Sequence, residues 1–205
     1  MKVLLVNGSC HEKGCTYTAL AEVAKALNDN GVETEIFWVG KNPAGPCKGC
    51  WVCKQTKKCV MEDGVNEFVE KAADFDGFVF GSPVYYASAS GALISFMDRV
   101  FYSGGKNLAY KPAAAVVSCR RAGASTTFDV INKYFTINNM PVVSSNYWNE
   151  IHGNTAEEAQ KDEEGLQTMR ILGNNMAWLL KCIQLGKIEG LEPVRERKIM
   201  TNFIR

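Results

Sequence analysis

Five short apolar runs alternate with segments of helical spacing along the chain, and that alternation restricts the fold more than any other feature. The runs are KVLLVN (Lys2 to Asn7), ETEIFWV (Glu33 to Val39), DGFVFG (Asp76 to Gly81), AAAVVSC (Ala113 to Cys119) and MPVVSSNYW (Met140 to Trp148). They lack clean polar alternation, the pattern of strands buried on both faces of a parallel sheet. Helical spacing covers Thr16 to Asn28, Val65 to Ala73, Gly91 to Tyr102 and Thr126 to Asn138. A last helical stretch runs from Thr155 to Leu185, where Gly165 and Gly173 predict a bend or a break. Parallel neighbours need crossovers, and right-handed crossovers place helices on both faces of the sheet. The expectation is a doubly wound α/β fold, with residues 1–205 forming one domain.

Five strands suggest the flavodoxin-like order 2-1-3-4-5, in which ligands sit beyond the carboxyl ends of the strands, between strands one and three. After strand one comes NGSCHEKGCTYTAL, which is neither a Walker loop nor a G-x-G-x-x-G fingerprint. It offers Gly8 and Gly14 for turns, the hydroxyls of Ser9 and Thr16, His11, and a helix starting near Cys15. Free N–H groups at a helix start plus hydroxyls bind one phosphate without arginine; an ordinary βα turn is the competing reading. After strand three, GSPVYYASASGALISFMDRV places Pro83 and the adjacent Tyr85 and Tyr86 before a run of small residues that admit a flat ligand. Two neighbouring tyrosines cannot both point inward from one extended loop. After strand four, SCRRAGASTTF sets Arg120 and Arg121 beside Gly123, where a cofactor's carbonyl edge or a nucleotide's phosphate would lie.

The charges nearly cancel, 23 Lys plus Arg against 22 Asp plus Glu, so no global field recruits nucleic acid or an anionic membrane. The opening MKVLLVNGSC is too short for a secretory h-region, and no run approaches a membrane span, so a cytoplasmic location is expected. In a reducing compartment, close cysteines point to metal or redox chemistry before a structural disulfide. Four lie in CKGCWVCKQTKKC: Cys47, Cys50, Cys53 and Cys59, a C-x2-C-x2-C-x5-C pattern. Zinc usually takes two knuckles a dozen or more residues apart. Successive x2 spacings fit a cubane cluster better, although Val60 stands where a proline is usual. Thiols without metal remain a third reading.

The segments GSCHEKGCT, GSPVYYASASGALISFMDRV and SCRRAG, in this order and spacing, resemble the NAD(P)H-dependent FMN reductases of the flavodoxin-like superfamily. The cysteine motif after strand two, followed by VMEDGV, is similar to the iron-sulfur flavoprotein branch. The resemblance extends over nearly the whole chain, through YWNEIHG. It implies that Ser9, His11, Cys15 and Thr16 surround an FMN phosphate, that Pro83, Val84, Tyr85, Tyr86 and Ala87 line the isoalloxazine ring, and that Arg120 to Gly123 run along another edge. The first loop departs from the family pattern G-S-P-R-x-x-G-N/S-T: Cys10 replaces the proline, His11 the arginine and Cys15 the amide or hydroxyl residue. Backbone N–H groups would then carry more of the phosphate than usual.

The function expected is that of an FMN-dependent oxidoreductase, taking electrons from NAD(P)H or a reduced protein and passing them to a quinone, a nitro compound, oxygen or a protein. A [4Fe-4S] cluster at Cys47, Cys50, Cys53 and Cys59 would convert the flavin's two electrons into single ones. No side chain is assigned as acid or base, because flavin N5 receives the hydride. The rival is a non-catalytic electron carrier or a thiol redox sensor. The resemblance also implies a homodimer or higher homo-oligomer, while the charge balance and hydropathy lead to the expectation of no nucleic-acid or membrane partner.

Overall fold

Four of the five expected strands form where the apolar runs lie in the computed structural model, which describes residues 1–40, 43–197 and 199–203. They are β1 (Lys2–Asn7), β2 (Glu33–Trp38), β3 (Gly77–Tyr85) and β5 (Ala113–Cys119). A two-residue β4 (Ser88–Ala89) folds back antiparallel on β3, and β6 (Glu150–His152) closes the far edge. The parallel path runs β2-β1-β3-β5-β6. Leaving out the β4 hairpin, this is the expected order 2-1-3-4-5, with six strands among the described residues rather than five.

Alternate residues of each strand feed opposite faces of the sheet. Val3 and Leu5 pack with Val79 and Val116 under α1 (Cys15–Asp29) and the long α7 (Glu163–Ile188). Leu4, Val6, Phe78 and Phe80 pack on the other face under α3 (Gly64–Lys71), α4 (Gly91–Leu108) and α5 (Ala124–Ile137). A short α2 (Val52–Thr56) lies within the cysteine-rich segment, and α6 (Ala156–Ala159) precedes α7.

Two expectations fail for identifiable reasons. The last strand forms at residues 150–152 and not at Met140 to Trp148: Pro141 and Val143 each bond Ala113, and the ladder then stops. Ser145 Oγ donates to the Tyr147 carbonyl and lies 2.7 Å from Asn149 Oδ1, while Asn149 Nδ2 donates to the Ala115 carbonyl. Polar side chains thereby take the place of ladder bonds across residues 144–148, and the ladder resumes where the Val117 N–H donates to the Asn149 carbonyl. The last helix breaks at Gln160 to Asp162, ahead of Gly165, whereas Gly173 sits inside unbroken α7. Gly173 serves close approach: a Cβ there would lie 2.7 Å from Ala26 Cβ and 2.8 Å from the Val23 carbonyl. It lets α7 lie against α1 across the first core layer.

Candidate functional site

The loops at the carboxyl ends of β1, β3, β5 and β6 touch one another. Gly8 ends β1 by donating to the Gly81 carbonyl, and a Cβ on it would meet Leu93 Cβ at 2.7 Å. Ser90, the N-cap of α4, donates its hydroxyl to the Gly8 carbonyl at 2.7 Å, tying the first loop to the third. Asn7 holds the first loop from within, accepting from the Ser9 N–H and donating to the Glu12 carbonyl. Trp38 at the end of β2 donates its indole N–H to the Ser9 carbonyl at 2.9 Å. Asn7 and Ser90 lie within the two loop segments and Trp38 within the second apolar run, but the bonds they make become visible only once the strands are in register.

The residues singled out in the loops after the first, third and fourth expected strands fall on or beside this cluster. Ser9 is buried, its Oγ accepting from the His11 N–H, and His11 itself is exposed at the rim. Thr16 is buried with its hydroxyl 2.8 Å from that of Ser118, so what it offers outward is its backbone amide. The half-buried Cys15 thiol donates to the Gly153 carbonyl at 3.5 Å, joining the loop after β6. Burial pushes that thiol above its ordinary 9.0, and the charges of Glu158 and Glu157 add to the rise.

The third loop is a hairpin tip. β3 runs through Pro83, beyond the end of the β1 ladder at Gly81, where one side of the strand no longer needs an N–H donor. Val84 pairs with Ala89 and Tyr85 with Ser88, leaving Tyr86 and Ala87 at the turn. Tyr86 has φ +61°, and the Ala87 N–H bonds the Tyr85 carbonyl across it. A left-handed tyrosine in so tight a turn is strained, and such strain clusters at ligand clamps. Tyr86 is fully exposed, whereas Tyr85 is 44% exposed and its hydroxyl lies 2.8 Å from Cys10 Sγ. Burial raises the Tyr85 phenol above 10.0, followed by its bond to Cys10. The fourth loop comes close: a Cβ on Gly123 (φ +89°) would lie 2.8 Å from Val84 Cγ1, while Arg120 stands exposed.

The donor chemistry here fits an anionic, planar ligand such as FMN. Of the five longer helices among the described residues, α3, α4 and α7 are capped by the side chains of Asp63, Ser90 and Asp162. The other two, α1 behind Gly14 and α5 behind Gly123, have no side-chain cap. Both begin at the loop cluster, so their uncapped amide groups and positive dipole ends open into it.

The cysteine-rich segment forms a second centre against α4. Cys47, Cys50, Cys53 and Cys59 all line one pocket of about 60 Å³, with Arg99, Tyr102 and Ser103 of α4 as its wall. All four are free thiols. The chain turns around them through left-handed residues at Gly49, Trp51 and Lys57, the last two without glycine's freedom. Among the described residues no three Cys, His, Asp or Glu side chains converge as on a single metal ion. The four residues line one pocket, and an all-thiolate set at successive x2 spacings suits a multi-iron cluster better than a zinc site, which usually takes two separated knuckles. Burial raises the Cys53 thiol above its ordinary 9.0, and the charges of Cys59, Cys47 and Cys50 raise it further.

Cys59 is the most firmly held of the four. Its N–H donates to Asn66 Oδ1 and its carbonyl accepts from Asn66 Nδ2, both at 2.9 Å. Its sulfur accepts from Nε and Nη2 of Arg99, which is 1% exposed. Burial pulls the guanidinium down in pKa, but its bonds to Asp63 and Cys59 outweigh that and leave it raised. In the sequence Asp63 is marked only as part of VMEDGV and Arg99 only as part of GSPVYYASASGALISFMDRV, with nothing to say that the two pair. The available signal is an arginine three residues after Phe96, on the apolar side of an amphipathic helix.

Residues 1–155 match the family model of NADPH-dependent FMN reductases. Over 192 residues the chain is 34% identical to an iron-sulfur flavoprotein of Methanocaldococcus jannaschii, covering 90% of this chain and 100% of that protein. Over 191 residues it is 27% identical to the iron-sulfur flavoprotein of Methanosarcina thermophila, covering 91% and 99%. Among solved structures it superposes on RosB, determined with bound 8-demethyl-8-formylriboflavin-5'-phosphate, at a TM-score of 0.74 over 99% of this chain and 92% of that one; at 15% identity this shows the fold alone. With three quarters of its length under that family model and a near full-length relative above 30% identity, the chain belongs to the NADPH-dependent FMN reductase family.

Proposed function

We propose that this chain is an FMN-dependent oxidoreductase that accepts electrons from NAD(P)H or a reduced protein donor and delivers them to a quinone, a nitro compound, oxygen or a protein. The observation that carries the reading is the pair of uncapped helix starts, α1 and α5, opening into one cluster of carboxyl-end loops. In this reading the amides behind Gly14, with Ser9, His11, Cys15 and Thr16 around them, hold the phosphate. Pro83, Val84, Tyr85, Tyr86 and Ala87 flank the ring, and Arg120 and Gly123 close another edge. FMN fits better than a dinucleotide because the first loop lacks the dinucleotide fingerprint. When bound, the flavin supplies two-electron hydride chemistry that can be released one electron at a time. The protein's part is to orient the ring and exclude solvent from one side of it. The Cys10–Tyr85 contact fixes one wall, and Gly123 lets Val84 approach the other.

We assign Cys47, Cys50, Cys53 and Cys59 as the residues that would hold a [4Fe-4S] cluster, which would supply one-electron chemistry beside the flavin's two-electron chemistry. Their thiols are free, all four residues line one pocket, and none of the four is buried, so a cluster can be received without unfolding the core. Heat-released ligand identified by chromatography tests the flavin assignment, and FMN is expected. FAD as the sole flavin, or no flavin bound, overturns it. Steady NAD(P)H oxidation with a small quinone is expected of a reductase, whereas exchange with a protein partner alone marks an electron carrier.

A further inference from the structure

Arg99 is a full cation placed in the core side of α4 with every guanidinium nitrogen engaged. Nη1 donates to Asp63 Oδ2 at 2.5 Å and to the Gly45 carbonyl at 3.2 Å. Nη2 donates to Asp63 Oδ1 at 2.9 Å, to Cys59 Sγ at 3.2 Å and to the Met61 carbonyl at 3.4 Å. Nε donates to the same sulfur at 3.3 Å. A structural latch would need the carbonyls of Gly45 and Met61 and the Asp63 fork, which together hold the segment to the helix. It would not need two N–H groups aimed at a thiol. Among the described residues Cys59 is the one cysteine of the four whose sulfur accepts hydrogen bonds, and it receives both from one side chain.

We infer that Arg99 is the positioning and tuning residue for the redox centre at the cysteine pocket, orienting Cys59 as its fourth ligand and raising its reduction potential. This rests on the assignment of the four cysteines to a [4Fe-4S] cluster. Hydrogen bonds to ligand sulfurs and the charge around them are among the terms that set a cluster's potential. One electron entering a thiolate-bound centre adds one negative charge. N–H donors on a ligand sulfur stabilise that extra charge, so the reduced state gains more than the oxidised one. Asp63 opposes this: its carboxylate forms the closest ion pair to the guanidinium and neutralises it at long range. Arg99 and Asp63 should therefore act on the potential with opposite signs. Two residues that merely fasten the segment would act with the same sign, both lowering occupancy.

The test compares wild type, Arg99→Lys, Arg99→Met and Asp63→Asn after anaerobic reconstitution with iron and sulfide. Asn preserves the N-cap oxygen that Asp63 gives the Val65 N–H, so α3 keeps its start. Lysine keeps the charge but lacks the planar fork, which guards against the case where methionine in a buried ion-pair position prevents folding. Iron per chain, far-UV circular dichroism and the midpoint potential by dye-mediated titration are read for each. Wild type loaded with iron, with Arg99→Lys and Arg99→Met shifted to lower potential by about tenfold in the one-electron equilibrium (about 59 mV) and Asp63→Asn shifted to higher potential, supports the inference. Loaded Arg99 variants with the wild-type potential, or Asp63→Asn shifted in the same direction as Arg99→Lys, overturn it and leave the cluster reading intact. A wild-type chain that retains no iron or sulfide overturns both.

Discussion

At the scale of single residues, the loop cluster is assembled by close backbone approach more than by long side chains. Gly8 is the sharpest case, since a Cβ would stand 2.7 Å from Leu93 Cβ and 2.8 Å from the Gly81 carbonyl. The second of these neighbours is backbone and cannot swing aside. Gly8→Ala should cost about 1–3 kcal/mol of stability by overpacking, read as a lower denaturant midpoint at unchanged slope; a midpoint equal to wild type contradicts the close approach. The Thr16–Ser118 hydroxyl pair is buried at the same junction. Its 2.8 Å bond is hidden in the sequence, where Thr16 reads as a phosphate hydroxyl, because the partner lies 102 positions away. Distance in sequence also hides the partners of Arg99: its place on the apolar side of the helix can be read locally, but Asp63 and Cys59 lie 36 and 40 positions away. Glycine and cysteine spacing can be read locally, whereas these pairings need the register of the sheet.

At the scale of elements, strands and long helices were legible because their apolar periodicity is set by burial on two faces. β1 and β5 fall where the runs KVLLVN and AAAVVSC lie, and α1 and α5 shift by one or two residues at their ends. The β4 hairpin, α2 and the displaced β6 were not legible, since each is short and held by side-chain bonds or left-handed turns rather than by a repeating apolar face. The helix starts carry a reciprocal prediction. Gly14 caps α1 in an extended conformation with no side chain of its own. Asp at that position would cap the amides assigned to the phosphate, with His11 Cβ at 3.2 Å yielding slightly. Gly14→Asp should stabilise the flavin-free protein by a few tenths of a kcal/mol and weaken FMN binding at least tenfold, about 1.4 kcal/mol. Thermal melts without ligand and a fluorescence titration with FMN read the two effects separately. Unchanged affinity in a correctly folded variant would place the phosphate elsewhere.

At the scale of the whole molecule, the ionisable groups held inside set its alkaline limit. Burial is the first cause that raises the thiols of Cys15 and Cys119 from 9.0 and the phenols of Tyr85 and Tyr134 from 10.0. The folded chain thus keeps these protons to higher pH than the unfolded chain. Their contribution is complete below the unfolded values and is lost as pH climbs through that range, because the unfolded chain then gives up protons that the folded chain must hold. Lys111, lowered from 10.5 by burial, acts with the opposite sign and offsets part of the loss near its own range. The melting temperature should stay level from about pH 7 to 8.5 and fall from about pH 9 upward; a level or rising value to about pH 10.5 contradicts it. The C-terminal tail adds little to this balance among the described residues, with Ile199 and Phe203 each 93% exposed and Ile204 outside them. Two centres on one sheet, a flavin loop cluster and a thiol pocket on α4, remain the central claim. Its most direct measurement is iron, acid-labile sulfide and FMN per chain in wild type and Cys50→Ala after strictly anaerobic reconstitution. About four irons and sulfides with one flavin are predicted in wild type, and loss of the iron with the flavin retained in Cys50→Ala. A wild-type chain that binds FMN yet holds neither iron nor sulfide would contradict it.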